Sequence, residues 1–332
     1  MAETENIIEA KGLCKSFGSF QAVKCIDLEV KKGEIFGFLG PNGAGKSTTI
    51  NMLTTMLSPT SGTAKVVGYD VVKEEAEVRE NIGIVPQEIL LEAQLSARQN
   101  LEFYGKLYHM DRKVMGERIP ELLKMAELES RADDQVKTFS GGMKRRLEIA
   151  KAFLHRPAII IMDEPTIGLD IQTRMVIWDK IRELNRAGIT IFMTTHYLDE
   201  ADLLCDRIAI MDHGEIKAIG TPEELKHSIG KDTVIEVEFT GPQEKFLKEI
   251  DKLCEKATVT ENHGHMVKFT CKDPVNAIKK IIDHATHAGV KLDKVSMHEP
   301  SLDDVFVHYT GRAIREQGAE NMQAKFFAVA RR

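Results

Sequence analysis

No apolar run in this chain approaches the roughly 20 residues that cross a bilayer; the stretch 158–162 is far shorter. The chain is therefore expected not to span a membrane, and any membrane role would need a partner. An excess of positive charge is lacking too. The formal net charge of −6 removes the bulk electrostatic reason to expect nucleic acid as a partner. Cysteine is sparse and scattered: Cys14, Cys25, Cys205, Cys254 and Cys271, with no CxxC spacing. Neither a disulfide framework nor a zinc site is expected, and a reducing cytosol fits best. The opening MAETENIIEAK is too polar for a signal peptide. Internal repeats and low-complexity tracts are missing, which argues against a solenoid or a biased linker.

What is present is enough chain, at 332 residues, for one large domain and a smaller one. Alternating patterns predict strands at 7–13 and 22–30 with a turn near Gly18. A short buried strand at 35–39 feeds a glycine-rich loop, and a helix should start at Lys46. Strands follow at 64–67 and 82–86. From about 96 to 129 the apolar residues take helical spacing, with Leu101, Tyr104, Ile119 and Leu122 on repeating faces and Asp111 as an N-cap. Strand–helix alternation then returns: a helix to about His155, strand 158–162, helix 171–187, strand 189–194, a short helix and strand 208–211. Parallel strands joined by helices imply a doubly wound α/β core with a helical insert. Thr221-Pro-Glu-Glu224 reads as a capping box whose helix runs out at Gly230.

Beyond Gly230 the order becomes strand 234–240, helix 243–256, strands 258–260 and 266–270, helix 274–288 and strand 291–296. That β-α-β-β-α-β order is ferredoxin-like α+β; a last helix is expected at 301–309. The expected division is thus 1–230 with a helical subdomain at about 96–140, an accessory domain at 231–311, and a tail at 312–332. The tail carries five basic and two acidic residues and could be a frayed end or an amphipathic helix on a membrane surface.

Three segments carry chemistry. Gly40, Pro41, Asn42, Gly43, Ala44, Gly45, Lys46, Ser47 and Thr48 match GxxxxGK[ST] between a strand and a helix. Inward N–H groups of such a loop hold phosphate oxygens. Lys46 would reach the β- and γ-phosphates, and Ser47 would ligate Mg²⁺. Asp163 and Glu164 end an apolar strand. Asp163 suits Mg²⁺ and Glu164 suits a general base for water; by themselves they could also be an acidic pair in a loop. Ser140, Gly141 and Gly142 open a helix. They read either as a plain N-cap and turn or as a second anion site. Since one cradle already exists at 40–48, a second would suit the nucleotide of another copy.

In this order the motifs resemble those of ATP-binding cassette (ABC) transporter nucleotide-binding subunits, over 7–225. The 40–48 loop resembles Walker A, 139–143 the family signature, and 160–164 Walker B. The resemblance makes Gln87 the Q-loop glutamine near Mg²⁺ and the attacking water. It makes His196 the switch histidine at the γ-phosphate, Asp170 part of the D-loop at the dimer interface, and Phe17 the adenine-stacking aromatic. Phe17 could equally be a core residue of the first hairpin. The signature reads FSGGM, so Met143 cannot offer the usual glutamine amide. At the C-terminal end, EPSLDDVF followed by YTGR is similar to the ending of drug-resistance and antibiotic-export cassettes.

The resemblance implies an ATP-hydrolysing subunit of an exporter, with ATP and Mg²⁺, a second cassette in a homodimer, a separate polytopic permease and a place on the inner face of the cell membrane. Alternatives are a soluble ABC-type ATPase acting on nucleic acid or ribosomes, and a regulatory ATP-sensing subunit. Lys144-Arg145-Arg146 reads as a solvated helix face. His263, His265, His284, His287 and His298 crowd the second domain; hairpin and surface positions account for them more simply than a metal.

Overall fold

A computed structural model of the chain describes residues 5–229, 233–240, 256–261, 265–271 and 274–311. The chain divides into two compact units, Met1–Pro222 and Glu223–Arg332. The division falls ahead of the expected 230/231 boundary because the helix at Pro222–Ser228 belongs with the second unit. Ser228 Oγ there accepts from Tyr309 Oη at 3.0 Å.

The first unit is built on a six-stranded sheet. Its strands are β3 (Ile35–Leu39), β6 (Ile82–Val85), β7 (Ile159–Asp163), β8 (Thr190–Thr195), β9 (Arg207–Asp212) and β10 (Glu215–Gly220). The spatial order is β10-β9-β3-β8-β7-β6. All pairs are parallel except the β9–β10 hairpin at one edge. Every residue of β3 and β8 is buried. Strands covered on both faces read as continuous apolar runs, which is why they were legible. The hairpin partner β10 was not anticipated. Its turn is His213-Gly214, both at positive φ, the geometry of a tight two-residue loop.

A second, antiparallel sheet has the order β2-β1-β4-β5, from β1 (Asn6–Phe17), β2 (Phe20–Lys31), β4 (Ser61–Val66) and β5 (Tyr69–Asp70). Past Cys25, β2 alternates buried and exposed residues, so one face packs inward. Leu13 pairs with Ile26, and the register shifts just beyond, where Cys14 and Cys25 lie. The two form a disulfide with Cα atoms 4.2 Å apart. This corrects the expectation of no disulfide: spacing along the chain misses partners brought together across a hairpin.

The helical insert forms as expected. Helix α3 (Ala97–Leu107) starts on a Ser96–Gln99 capping box, and α4 (Arg112–Met125) is capped by Asp111. Their apolar faces, with Leu101, Met115, Ile119 and Leu122, share a core with Leu147 and Leu154. Helices α1 (Lys46–Leu53), α2 (Glu75–Asn81), α5 (Gly141–Ala152), α6 (Ile171–Arg186) and α7 (Leu198–Leu204) complete the unit; α2 was not anticipated.

The second unit begins with α8 (Pro222–Ser228), followed by β11 (Thr233–Thr240), β12 (Lys256–Glu261), β13 (His265–Cys271), α9 (Pro274–Ala288), β14 (Lys291–His298) and α10 (Leu302–Thr310). Its sheet is antiparallel with order β12-β13-β11-β14, the ferredoxin-like arrangement. The helix expected at 243–256 falls almost wholly outside the described residues, as do His263 and the 312–332 tail. Helix α9 packs Ala277, Ile281 and Ala285 on Ile235, Val237 and Phe239. Helix α10 starts on a Ser301–Asp304 capping box, and Asp304 also takes a contact from His298 Nε2 at 2.9 Å. No helix among the described residues is long and apolar enough to cross a membrane.

Candidate functional site

Four neighbouring parallel strands deliver the site. The carboxyl ends of β3, β8, β7 and β6 lead respectively to the 40–48 loop, His196, Asp163-Glu164 and Gln87. In open parallel sheets, ligands bind outside these ends. Segments distant in sequence thus meet because their strands are adjacent.

The loop needs its glycines for backbone reasons. Gly45 has φ +108, and a Cβ there would sit 2.6 Å from the Ala22 carbonyl oxygen, so no larger residue fits. Helix α1 begins at Lys46, and its first turn, with Ser47 and Thr48, leaves N–H groups without helical partners. Lys46 is only 5% exposed. Its Nζ donates to the carbonyls of Gly40 at 2.7 Å and Pro41 at 3.2 Å, and lies 3.3 Å from Glu164 Oε1. Burial lowers the pKa of this ammonium, while Glu164 and Asp163 pull it partly back.

Glu164 sits just beyond β7 with φ +47, a left-handed conformation that is costly for a side chain and clusters at functional sites. Thr194 holds it there. The Glu164 N–H donates to the Thr194 carbonyl at 3.2 Å and to Thr194 Oγ1 at 3.0 Å. The same hydroxyl donates to Asp163 Oδ1 at 2.5 Å. His196 Nδ1 lies 3.2 Å from Glu164 Oε2. Burial works against charge on Glu164, but His196 and Lys46 outweigh it and hold the carboxyl below its usual range. The result is an ionised carboxylate beside a cation at the mouth of a phosphate-binding loop. Such a carboxylate can accept a proton from water.

Ser140, Gly141, Gly142 and Asp170 gather at a different place, where α5 and α6 start side by side. Ser140 caps α5 by accepting from Met143 N–H, and Asp170 caps α6 by accepting from Thr173 N–H at 2.9 Å. A Cβ on Gly142 would lie 2.5 Å from Thr173 Cγ2, so glycine is what allows this packing. Ser140, Gly141 and Asp170 are exposed. Phe17 is also exposed, at 50%, near the tip of the β1–β2 hairpin with Lys15 Nζ 5.2 Å from its ring. Exposure rules out the alternative that Phe17 is a core residue.

Gln87 is exposed just after β6. Its carbonyl accepts from Arg145 Nη2 at 2.7 Å, and the Pro86 carbonyl accepts from Arg145 Nη1 at 2.6 Å. Arg145 is 3% exposed, which corrects the reading of 144–146 as a wholly solvated face. Sequence reasoning missed Arg145, Thr194 and Glu200. Glu200 is buried, and one of its oxygens accepts from Thr166 Oγ1 at 2.8 Å and Trp178 Nε1 at 2.7 Å. Thr194 had a usable signal, lying on β8 two residues before His196, which follows that strand; the other two had none.

Chain-wide likenesses match this geometry. Residues 23–167 match the ABC transporter family, and 220–310 match the C-terminal domain of DrrA1-3-like ATP-binding proteins. The chain is 40% identical over 311 residues to the linearmycin resistance ATP-binding protein LnrL of Bacillus subtilis, covering 93% of this chain and 100% of that one. The chain belongs to the ABC transporter ATP-binding proteins. Another relative in this family is the Nod factor export ATP-binding protein I of Cupriavidus metallidurans, 39% identical over 93% of this chain and 99% of that one. A third is the daunorubicin resistance ATP-binding protein DrrA3 of Streptomyces coeruleorubidus, 37% identical over 95% and 99%.

Among solved structures, cbiO1 from Clostridium perfringens, part of the transporter complex cbiONQ, overlays with TM-score 0.63. It is 30% identical, with 67% of this chain and 91% of that chain covered. The dimeric post-hydrolysis cassette MJ0796 bound to ADP and Pi overlays with TM-score 0.58 at 31% identity, over 64% and 98%. As an ABC cassette, this chain is a nucleotide-binding ATPase.

Proposed function

We propose that this chain energises an exporter from the inner face of the cell membrane, paired with a second copy of itself and a separate polytopic permease. The relatives named for resistance or export, and the shared C-terminal unit, support export. The helical insert and the Gln87 segment are the expected docking surface for the permease.

The observation that carries the chemistry is the buried Lys46–Glu164 contact at 3.3 Å, with Glu164 fastened by Thr194. In this reading the 40–48 loop binds the β- and γ-phosphates through backbone N–H groups and Lys46. Glu164 takes the proton of the attacking water, and His196 contacts the γ-phosphate and steadies the Glu164 carboxylate. Phe17 stacks on adenine. Ser140 and Gly142 face the γ-phosphate bound by the partner copy, with Asp170 at the junction between copies. Release of phosphate then removes the contact that joins the copies, which couples hydrolysis to separation.

The donor set suits Mg²⁺. Ser47, Gln87 and Asp163 offer a hydroxyl, an amide and one carboxylate, and the described residues contain no cluster of three or more His, Cys, Asp or Glu ligands. Mg²⁺ usually takes one or two carboxylates plus substrate phosphates. When bound, the ion neutralises charge on the β- and γ-oxygens.

The test is purification of the tagged chain from its own cells. A polytopic membrane protein should accompany it, and vesicles carrying both should lose ATP-driven transport with Glu164→Gln. Recovery free of any membrane protein, with ATPase activity stimulated by nucleic acid or ribosomes, would overturn the exporter reading.

A further inference from the structure

Three consecutive cations follow the signature turn, and they are not alike. Lys144 and Arg146 are half-buried, and Arg146 pairs with Glu127 at 2.9 Å. Arg145 turns inward and spends both terminal nitrogens on the carbonyls of Pro86 and Gln87. A guanidinium fork satisfies two acceptors at once, which an ammonium cannot do with the same geometry.

The rest of the segment after β6 is held in the same manner. The Leu90 carbonyl accepts from Tyr104 Oη at 2.7 Å and from Lys151 Nζ at 3.5 Å. Asn100 bonds both the N–H and the carbonyl of Glu92, at 2.8 and 3.0 Å. All of these side chains sit on α3 or α5. The backbone from 86 to 92 is therefore fastened to α3 and α5 once it leaves the sheet.

We propose that Arg145 is a positioning residue for hydrolysis: from α5, the helix that opens with Ser140-Gly-Gly142, it sets where Gln87 stands at this chain's own nucleotide. The inference rests on the reading above, in which Gln87 serves the chain's own site and the start of α5 serves the partner's. Movement of α5 onto the partner's nucleotide is then transmitted through one rigid side chain to Gln87. One site is made ready by the closing of the other.

The test compares Arg145→Gln, Arg145→Lys and Lys144→Ala in the full chain, measuring kcat, KM for MgATP, equilibrium ATP affinity and thermal unfolding. Small misplacement of a group at a reacting centre costs on the order of 10²-fold in rate. Arg145→Gln should lose about that much in kcat with ATP affinity within about twofold of the parent. Arg145→Lys, keeping one of two bonds, should recover part of the rate, and Lys144→Ala should match the parent. Should Arg145→Gln fail to fold, Arg145→Lys carries the test through its kcat alone. Parental kcat in a folded Arg145 variant, or a rate loss matched by an equal loss of ATP affinity, would overturn the proposal. Undiminished hydrolysis in Glu164→Gln would instead strike at the site reading beneath it.

Discussion

Two helix starts in the first unit are proposed to meet phosphate, and they differ in completeness. At the start of α1, Lys46 is buried and already faced by Glu164, with Asp163, Thr194 and His196 around them. Cation, base and phosphate loop all come from one chain. At the start of α5, Ser140 and Gly141 are exposed, and the nearest packing is the start of α6 through Gly142 and Thr173. The first start turns inward on its own chemistry. The second offers bare N–H groups outward. On the function proposed above, one is a site, and the other is half of a site belonging to another copy.

The largest effect should come from the first start. Glu164→Gln keeps the shape and removes the base, so hydrolysis should fall by about 10²–10⁴-fold. ATP should still bind, and the dimer should accumulate. Phosphate release and size-exclusion chromatography with ATP check both halves. A dimer that fails to accumulate would break the distinction between binding and hydrolysis.

Next comes the second start. Gly142→Val drives a side chain into Thr173, with 2.5 Å available even for a Cβ. Turnover should fall on the order of 10²-fold, yet a monomer should bind ATP as before, because its own cradle is untouched. Equilibrium nucleotide titration separates the two. Equal loss of binding would mean that both starts serve one nucleotide.

A pH profile sharpens the comparison more gently. The Glu164 carboxyl is held below its usual range by His196 and Lys46 against the effect of burial. The base form therefore survives to lower pH than in an unperturbed glutamate, whose pKa is about 4.3. The acid limb of kcat assigned to Glu164 should lie below that value. The sign for stability is the same: a depressed carboxylate stabilises the fold above its unfolded pKa and loses that contribution as pH falls through the folded one. An acid limb above the ordinary value would contradict the environment described.

Smallest is the cap on α6. Asp170→Ala removes the bond to Thr173 N–H and should cost about 1 kcal/mol, read by chemical denaturation. A larger loss would mean that the two helix starts support each other.

The sheet and its site were legible because the strands that carry them are buried on both faces, and each ends in a residue type with a chemical reason to be there. Lys46 and Asp163-Glu164 were readable from their own motifs, His196 only through the family resemblance, and adjacency of β3, β7 and β8 brings them together. The Cys14–Cys25 bond was not readable, because it depends on a hairpin register rather than on spacing. Arg145 was hidden for a related reason. Three cations in a row look alike in sequence, and only the rotation of α5 decides which one turns inward to meet Pro86 and Gln87. The strained backbone at Glu164 also leaves no trace in residue type.

On the proposed function, a second copy completes the site. The most direct test is the rate of ATP hydrolysis per chain across a dilution series, with mass measured by light scattering in the same samples. The rate per chain should fall as dimer gives way to monomer. Full turnover in samples shown to be wholly monomeric would contradict it.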